Sequence, residues 1–346
     1  MPTNPNCDLR CSLNPAQLVV RVHTGVARAR ARDDVAVSLR GASSGWCQSE
    51  ALNLNAPVFL RDEADLVTLQ KREPPYGLCC NSSWLTKQKR TAAHVLRAST
   101  APQQKRFASC AVVGTSGTLL SDKLGGEIDA HDAVLRVNVH PKARGDAAVT
   151  QLAKHVGRRS TWHLASAAFH SEIRRPYSRS HAADEQTLLI CEFQTVIGSC
   201  FVELMHLSAA STHAHMVNPL LFYELHELMR NGGARKGAGR IPTTGLLAVA
   251  VAMRSCDRVD VYGYGNGQAS SCIYYYMCHP PKVGRKASDK DYFSRSHVVH
   301  HNLTRQLEVL RCLHGAGRIT LRGSHWDAEW RKTTRRSAFE VATRRR

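Results

Sequence analysis

An α/β fold, built as a Rossmann-like parallel or mixed sheet flanked by helices, is the architecture this sequence predicts. Three observations point to it. Strand-like stretches closed by glycine recur, as the apolar run 111–113 (Ala-Val-Val) before Gly114 and the segment with Val259 and Val261 before Gly263. Between such runs lie segments with apolar residues at helical spacing, 218–230 and 246–255. Strands that alternate with helices favour a sheet whose ligands bind at the carboxyl ends of the strands.

The elements follow in chain order. Residues 1–105 form a stem-like, poorly defined N-terminal region: the start has no apolar core suited to a signal peptide, and no run approaches the ~20 apolar residues of a membrane span. The basic run at 28–32 reads as exposed stem. The first strand covers 111–113 and ends in a turn with two glycines (Gly114, Gly117) and three hydroxyls (Thr115, Ser116, Thr118). Small residues there let backbone N–H groups approach a ligand, and hydroxyls add donors. At 134–139 apolar and polar residues alternate, so Leu135 and Val137 face one way, Arg136 and Asn138 the other. Further strands are expected at 161–164 and 187–191.

The segment 218–230 is helical, with Pro219 at the first position and Asn231-Gly232-Gly233 as its stop. Thr243-Thr244-Gly245 opens an almost wholly apolar helix at 246–255, which must be buried. Its N-terminus offers free N–H groups beside two hydroxyls, suited to an anion or to a simple cap. A strand follows through Val259 and Val261. Residues 280–297 are polar and read as a flap. Leu303, Leu307, Leu310 and Leu313 mark an amphipathic helix with His301 at its start, and 319–321 is a last strand. The domain thus runs from 106 to 325, and 326–346 is a basic tail.

Composition narrows the class. The 346 residues are 43% apolar and 22% charged, enough for a substantial core, with a net charge of +19 that favours acidic partners. The basic residues are scattered, no RRM, KH or finger signature occurs, and aromatics are only 6%, which argues against nucleic acid. Twelve cysteines suit a secretory compartment with disulfides. Their spacing does not read as zinc, and Asp289-Lys290-Asp291 reads as a solvated loop, so no metal site is expected. Sequons occur at Asn81 and Asn302; the second, beside His301, is expected to be unused.

Residues 110–119 (Cys-Ala-Val-Val-Gly-Thr-Ser-Gly-Thr-Leu) with Ile128, Asp129, His131, Asp132, Val134, Leu135, Arg136 and Asn138 resemble the large sialylmotif of eukaryotic sialyltransferases. Val156-Gly157-Arg158-Arg159-Ser160-Thr161 resembles its close. Residues 242–247 and 256–263 resemble the small motif, and Cys272-Ile273-Tyr274-Tyr275-Tyr276 the third motif in the tyrosine-rich style of the β-galactoside α2,6 branch. His301 to Gln306 falls where the last motif, His-x-x-x-x-Glu, belongs.

This resemblance implies a GT-A-like variant of the Rossmann sheet and transfer of sialic acid from CMP-sialic acid to a glycan hydroxyl, with inversion. It implies no metal, a galactose-terminated acceptor and a Golgi membrane protein carrying glycans, although no anchor is visible in this sequence. Residue by residue, it assigns nucleotide or donor binding to Thr115, Thr118, Asn138, Thr243, Thr244, Gly245 and Tyr274. It pairs Cys110 with Cys256 as a disulfide. A histidine suits the role of general base because its pKa lies near neutrality, and His301 takes that role. Gln306 departs from the family's Glu, keeping hydrogen bonding and losing charge. That departure favours a competing reading, a catalytically weakened relative that binds CMP-sugars or glycans; a further one is a transferase for another CMP-activated keto-sugar such as CMP-Kdo, for which the nucleotide-reading residues would look the same.

Overall fold

The computed structural model describes residues 54, 56–59, 106–138, 152–166, 186–190, 213–231, 242–265, 274–277, 301 and 303–326. The strands are β1 (Phe107–Val113), β2 (Ala133–Val137), β3 (Trp162–Ser166), β4 (Gln186–Ile190), β5 (His213–Met216), β6 (Cys256–Tyr262) and β7 (Thr320–Arg322). They form one sheet in the order β5-β4-β3-β2-β1-β6-β7. Every neighbouring pair is parallel, so the expected parallel or mixed sheet is wholly parallel among the described residues.

Interior parallel strands are covered on both faces and should be apolar nearly throughout. The burial of β1 and β2 follows that rule: from Ser109 to Val137 every strand residue of this pair is buried. Period two then sorts them. Cys110, Val112, Ala133, Leu135 and Val137 enter one core, while Ala111, Val113 and Val134 enter another on the opposite face.

The first face is covered by α2 (Pro219–Asn231), α3 (Thr244–Ser255) and α4 (Leu303–Gly315). Helix α3 is apolar all round, and 246–252 is fully buried, as such a helix must be. Each large side chain buried there contributes about 1.5–3 kcal/mol. Thr243 caps α3 by accepting the Leu246 N–H at 3.1 Å, and Asn218 meets α2 by accepting the Leu220 N–H at 3.0 Å. Gly317, at φ +68°, ends the turn after α4.

The second face carries the short helix α1 (Gly125–Asp129) and a helical stretch at 152–156. Asp129 ties the two together. Its carboxylate accepts the N–H groups of Arg158 (2.8 Å) and Arg159 (2.9 Å). Gly157 makes this approach feasible: it sits at φ +70°, and a Cβ there would lie 2.4 Å from Asp129 Oδ1.

Cys110 and Cys256 are joined by a disulfide across 146 residues, with Cα atoms 6.0 Å apart. Part of the N-terminal stretch outside the expected domain also lies in the core. Ala56, Val58 and Phe59 are buried, Phe59 bridges to Val217, and its ring meets Trp162 edge-on at 6.0 Å. The expected flap at 280–297, residues 327–346 of the basic tail and both sequon asparagines, Asn81 and Asn302, lie outside the described residues, whereas Trp326, expected to open the tail, is buried in the core. No helix among those residues is long and apolar enough to cross a membrane.

Candidate active site

The carboxyl ends of β1, β2 and β6 and the N-terminus of α3 share one rim of the sheet. The turn after β1 is fixed to the end of β6: Gly114 N–H donates to Tyr262 O (2.8 Å) and Ser116 N–H to Gly263 O (3.2 Å). Ser116 Oγ accepts from Thr118 N–H (3.2 Å) and from Thr118 Oγ1 (3.1 Å), which winds 117–121 into a 3-10 turn. Thr118 is buried by this arrangement, and Thr115 is half-buried.

Tyr274 pairs with Ser116 in an isolated bridge, and the Tyr275 N–H donates to Thr115 O at 3.1 Å. The third motif is therefore held against the first. The ring of Tyr274 stacks on Tyr276, with centroids 5.4 Å apart and planes 7° from parallel. Burial raises the Tyr274 phenol above its ordinary pKa, so it remains a hydrogen-bond donor at neutral pH. Tyr275 is the core member: burial pushes it up to about 12 against the opposing effect of Arg136.

Asn138 ends β2 in the left-handed region, at φ 57°. Its N–H donates to Leu164 O (2.7 Å), and its side-chain Oδ1 accepts the Ser166 N–H (3.1 Å). Its carbonyl accepts from His163 Nε2 at 2.8 Å, which fixes the proton on that nitrogen. The amide oxygen is thus engaged with the scaffold, and the amide N–H2 is the end suited to a ligand.

At the other side of the rim, Thr243 Oγ1 donates to Gln306 Oε1 while accepting the Leu246 N–H. Gln306 lies in the first turn of α4, and half-buried His301 stands just ahead of it. Two helix N-termini therefore meet, and their positive dipole ends favour an anion at this place. Glu308 is engaged elsewhere, accepting from Arg305 at 2.8 Å. Thr244 is buried, and Gly245 is tightly enclosed: a Cβ would lie 3.0 Å from the Tyr264 ring, and Tyr264 Oη donates to Gly245 O at 2.8 Å.

Sequence reasoning missed Tyr264 and Gly265. Tyr264 locks the α3 N-terminus to the end of β6, and a Cβ on Gly114 would meet its ring at 2.8 Å. The alternation Gly263-Tyr264-Gly265 was the available signal, an aromatic between two positions of close backbone approach.

A second polar cluster lies beneath the rim, on the α1 face. Asp260, fully buried in β6, accepts from His131 Nε2 (2.9 Å) and from Arg322 Nε (3.0 Å), and Arg258 Nε is 3.2 Å away. Tyr262 Oη donates to Glu127 at 2.8 Å, and Arg322 lies 3.5 Å from the same carboxylate. His131 Nδ1 also meets a carbonyl, Glu127 O at 2.9 Å, so both ring nitrogens face acceptors and the imidazolium form fits. Burial opposes that charge, but the bond to Asp260 and the backbone carbonyls outweigh it and raise the His131 pKa. Burial likewise works against the Asp260 carboxylate, and His131 and Arg322 overcome it, holding its pKa below the usual value. No group of three or more metal-ligating side chains is present among the described residues.

A sequence model of glycosyltransferase family 29, the sialyltransferases, matches residues 61–318. The chain belongs to this family. Among curated relatives, human CMP-N-acetylneuraminate-beta-galactosamide-alpha-2,3-sialyltransferase 1 is 30% identical over 181 residues, which is 49% of this chain and 48% of the relative. The pig protein of the same name is 28% identical over 195 residues, 51% of this chain and 50% of the relative. The chain thus spans about half the length of the curated relatives it matches. Two crystal structures share the fold. A mammalian sialyltransferase superposes with a TM-score of 0.51 at 20% identity, and one in complex with Gal-beta-1-3GalNAc-ortho-nitrophenol with 0.50 at 19%; each match covers 79% of this chain and 92% of the other.

Proposed function

We propose that the protein transfers sialic acid from CMP-sialic acid to a hydroxyl of a glycan, with inversion at the anomeric carbon. The observation that carries the reading is the Thr243–Gln306 hydrogen bond. It links the small motif to the last one in a chain of this family, and so supports reading Thr243 to Gly245 and His301 as parts of one site. In the reaction the acceptor oxygen forms its bond to the anomeric carbon as the bond to the CMP phosphate oxygen breaks. That carbon becomes oxocarbenium-like on the way. The electron pair leaves with CMP, and the acceptor proton passes to His301.

Thr115, Thr118 and Asn138 would hold the nucleotide, Thr243, Thr244 and Gly245 the nucleotide and donor, and the Tyr274 phenol a phosphate oxygen. The charge that develops on phosphate would be met by the α3 N-terminus and these donors, so the reading calls for no metal. We also place the protein in the Golgi lumen with the rest of its family, a setting that suits the Cys110–Cys256 disulfide. The acceptor in this reading ends in galactose, as the names of the curated relatives suggest. Linkage has two cues that differ: those names carry α2,3, and the tyrosine-rich third motif has the α2,6 style.

The test is release of CMP from CMP-sialic acid by purified protein, with and without galactose- and sialic-acid-terminated acceptors, with linkage read from the product. Acceptor-dependent release is expected. His301→Ala should lower it by about 10²–10⁴-fold, the usual weight of a general base, with CMP binding nearly intact. Binding of CMP without release would favour the weakened relative, for which the Gln306 departure is the specific cue. Release from CMP-Kdo alone would move the reading to that donor.

A further inference from the structure

Three residues at the end of β6, Gly263-Tyr264-Gly265, join two parts of the rim that are far apart in sequence. Gly263 sits at φ +73°, and a Cβ on it would lie 2.6 Å from Leu119 Cδ1. A Cβ on Gly265 would lie 2.7 Å from Thr118 Cγ2. The 3-10 segment after β1 therefore packs on bare backbone to either side of Tyr264. The Tyr264 ring is buried, and its two edges meet different elements. One edge faces the turn after β1: a Cβ on Gly114 would lie 2.8 Å from Cε2 and 2.9 Å from Cδ2. The opposite edge faces the start of α3: a Cβ on Gly245 would lie 3.0 Å from Cε1 and 3.3 Å from Oη. The hydroxyl donates to Gly245 O at 2.8 Å, in the first turn of α3. Burial raises the phenol above its ordinary pKa, so the proton of this bond stays in place at neutral pH.

We propose that Tyr264 is a positioning residue for the donor: its ring sets the spacing between the Gly114–Thr115 turn and the α3 N-terminus, and its hydroxyl holds the first turn of α3 where the phosphate is bound. The inference rests on the reading of the rim as a CMP-sugar site. In that reading Thr115 and Thr118 hold the nucleotide from one side, and Thr243 to Gly245 hold nucleotide and donor from the other. A ligand that spans two elements binds best when their separation is fixed beforehand, because any ordering left to the binding step is subtracted from the affinity. Backbone bonds tie the turn after β1 to the end of β6, from Gly114 N–H to Tyr262 O and from Ser116 N–H to Gly263 O. Tyr264 carries that fixed point across to α3. Its ring and its hydroxyl have separate tasks: the ring bears on both sides of the site, the hydroxyl on the α3 side alone.

Substitutions can separate the two tasks. Binding to the full chain would be measured for wild type, Tyr264→Phe and Tyr264→Leu, by calorimetry for CMP and by ligand-observed NMR for the weaker cytidine, with thermal unfolding of each in parallel. Tyr264→Phe keeps the ring and loses the bond to Gly245 O. CMP should then bind about three- to tenfold more weakly, while cytidine, which has no phosphate for α3 to meet, stays within about twofold of wild type. Tyr264→Leu removes the spacer and should weaken both ligands. A purely structural role would not divide CMP from cytidine. The proposal is overturned, with the donor site left standing, by a Phe variant that binds CMP as wild type does, that loses CMP and cytidine equally, or that is too unstable to bind either. A Leu variant that binds both ligands as wild type does would overturn the spacer. A wild type that fails to bind CMP would overturn the donor reading and this inference with it.

Discussion

The two polar clusters of this molecule lie close together and are built on opposite terms. At the rim, Thr115, Asn138 and Tyr274 are held through their backbones, and Thr118 and Thr243 through hydroxyl contacts to Ser116 and Gln306, so the polar groups there are joined to separate segments of the chain. Below it, Asp260, His131, Arg322, Glu127 and Tyr262 satisfy one another. Both clusters draw on the same sequence motif. Of the large motif, Thr115, Thr118 and Asn138 go to the rim. Asp129 ties α1 to the 158–159 turn, Asp132 accepts from Ser109 at 2.7 Å, and Arg136 Nε donates to Arg159 O at 2.8 Å. A motif of one family therefore sends some residues to the rim and others to the frame beneath it, and only contacts separate them.

That division can be broken from its inner side first. Asp260→Ala leaves the buried His131 without its carboxylate, while half-exposed Arg322 keeps Glu127, and should cost about 3–5 kcal/mol of stability in urea unfolding. A loss below about 1 kcal/mol, typical of an exposed pair, would mean the cluster is not closed. The pH profile tests the same cluster more gently. His131 has a raised pKa, so its stabilisation is complete below the ordinary value of 6.5 and is lost as pH rises through the raised folded value. Asp260 has a lowered pKa, so its share is complete above the ordinary 3.8 and lost as pH falls through the folded value. Stability from this pair should therefore be greatest between 3.8 and 6.5. His131→Gln should remove the alkaline decline, and parallel profiles for variant and wild type would refute the assignment.

The smallest effect belongs to the rim. Gln306→Glu keeps an acceptor for Thr243 and adds a negative charge at two helix N-termini, which favour it by about 0.3–1 kcal/mol each. Turnover should rise a few-fold and unfolding free energy by about 0.5–2 kcal/mol. An unchanged rate would show that the missing carboxylate is not limiting.

Much of the sheet was legible because β1 and β6 end at Gly114 and Gly263 and β2 alternates apolar and polar residues, and because Thr243 and Pro219 announce α3 and α2. Strand β5 was not: His213-Ala-His-Met has no continuous apolar run, and among the described residues it pairs with β4 at the end of the sheet order. Helix α1 spans five residues, too few to show a period. The rim positions were legible through resemblance, since their spacing alone fits an ordinary strand and turn. Asp260 was not, because an acidic residue between Val259 and Val261 reads as facing solvent. It is buried because α1 covers that face and brings His131 from 129 residues away. Tyr264 packs against Gly114 and Gly245, both distant in sequence, and no local pattern records such a contact.

The strand order has a consequence for how the chain is made. The earliest strand of the sheet, β1, ends up between β2 and β6, and its partner β6 begins at residue 256. A ribosome adding roughly 5–20 residues per second needs on the order of 10 s to span that gap. Throughout that interval a nascent β1 presents one unpaired apolar edge and a lone Cys110 thiol. The sheet therefore closes from its middle, late, when one event supplies both the missing strand and the missing sulfur.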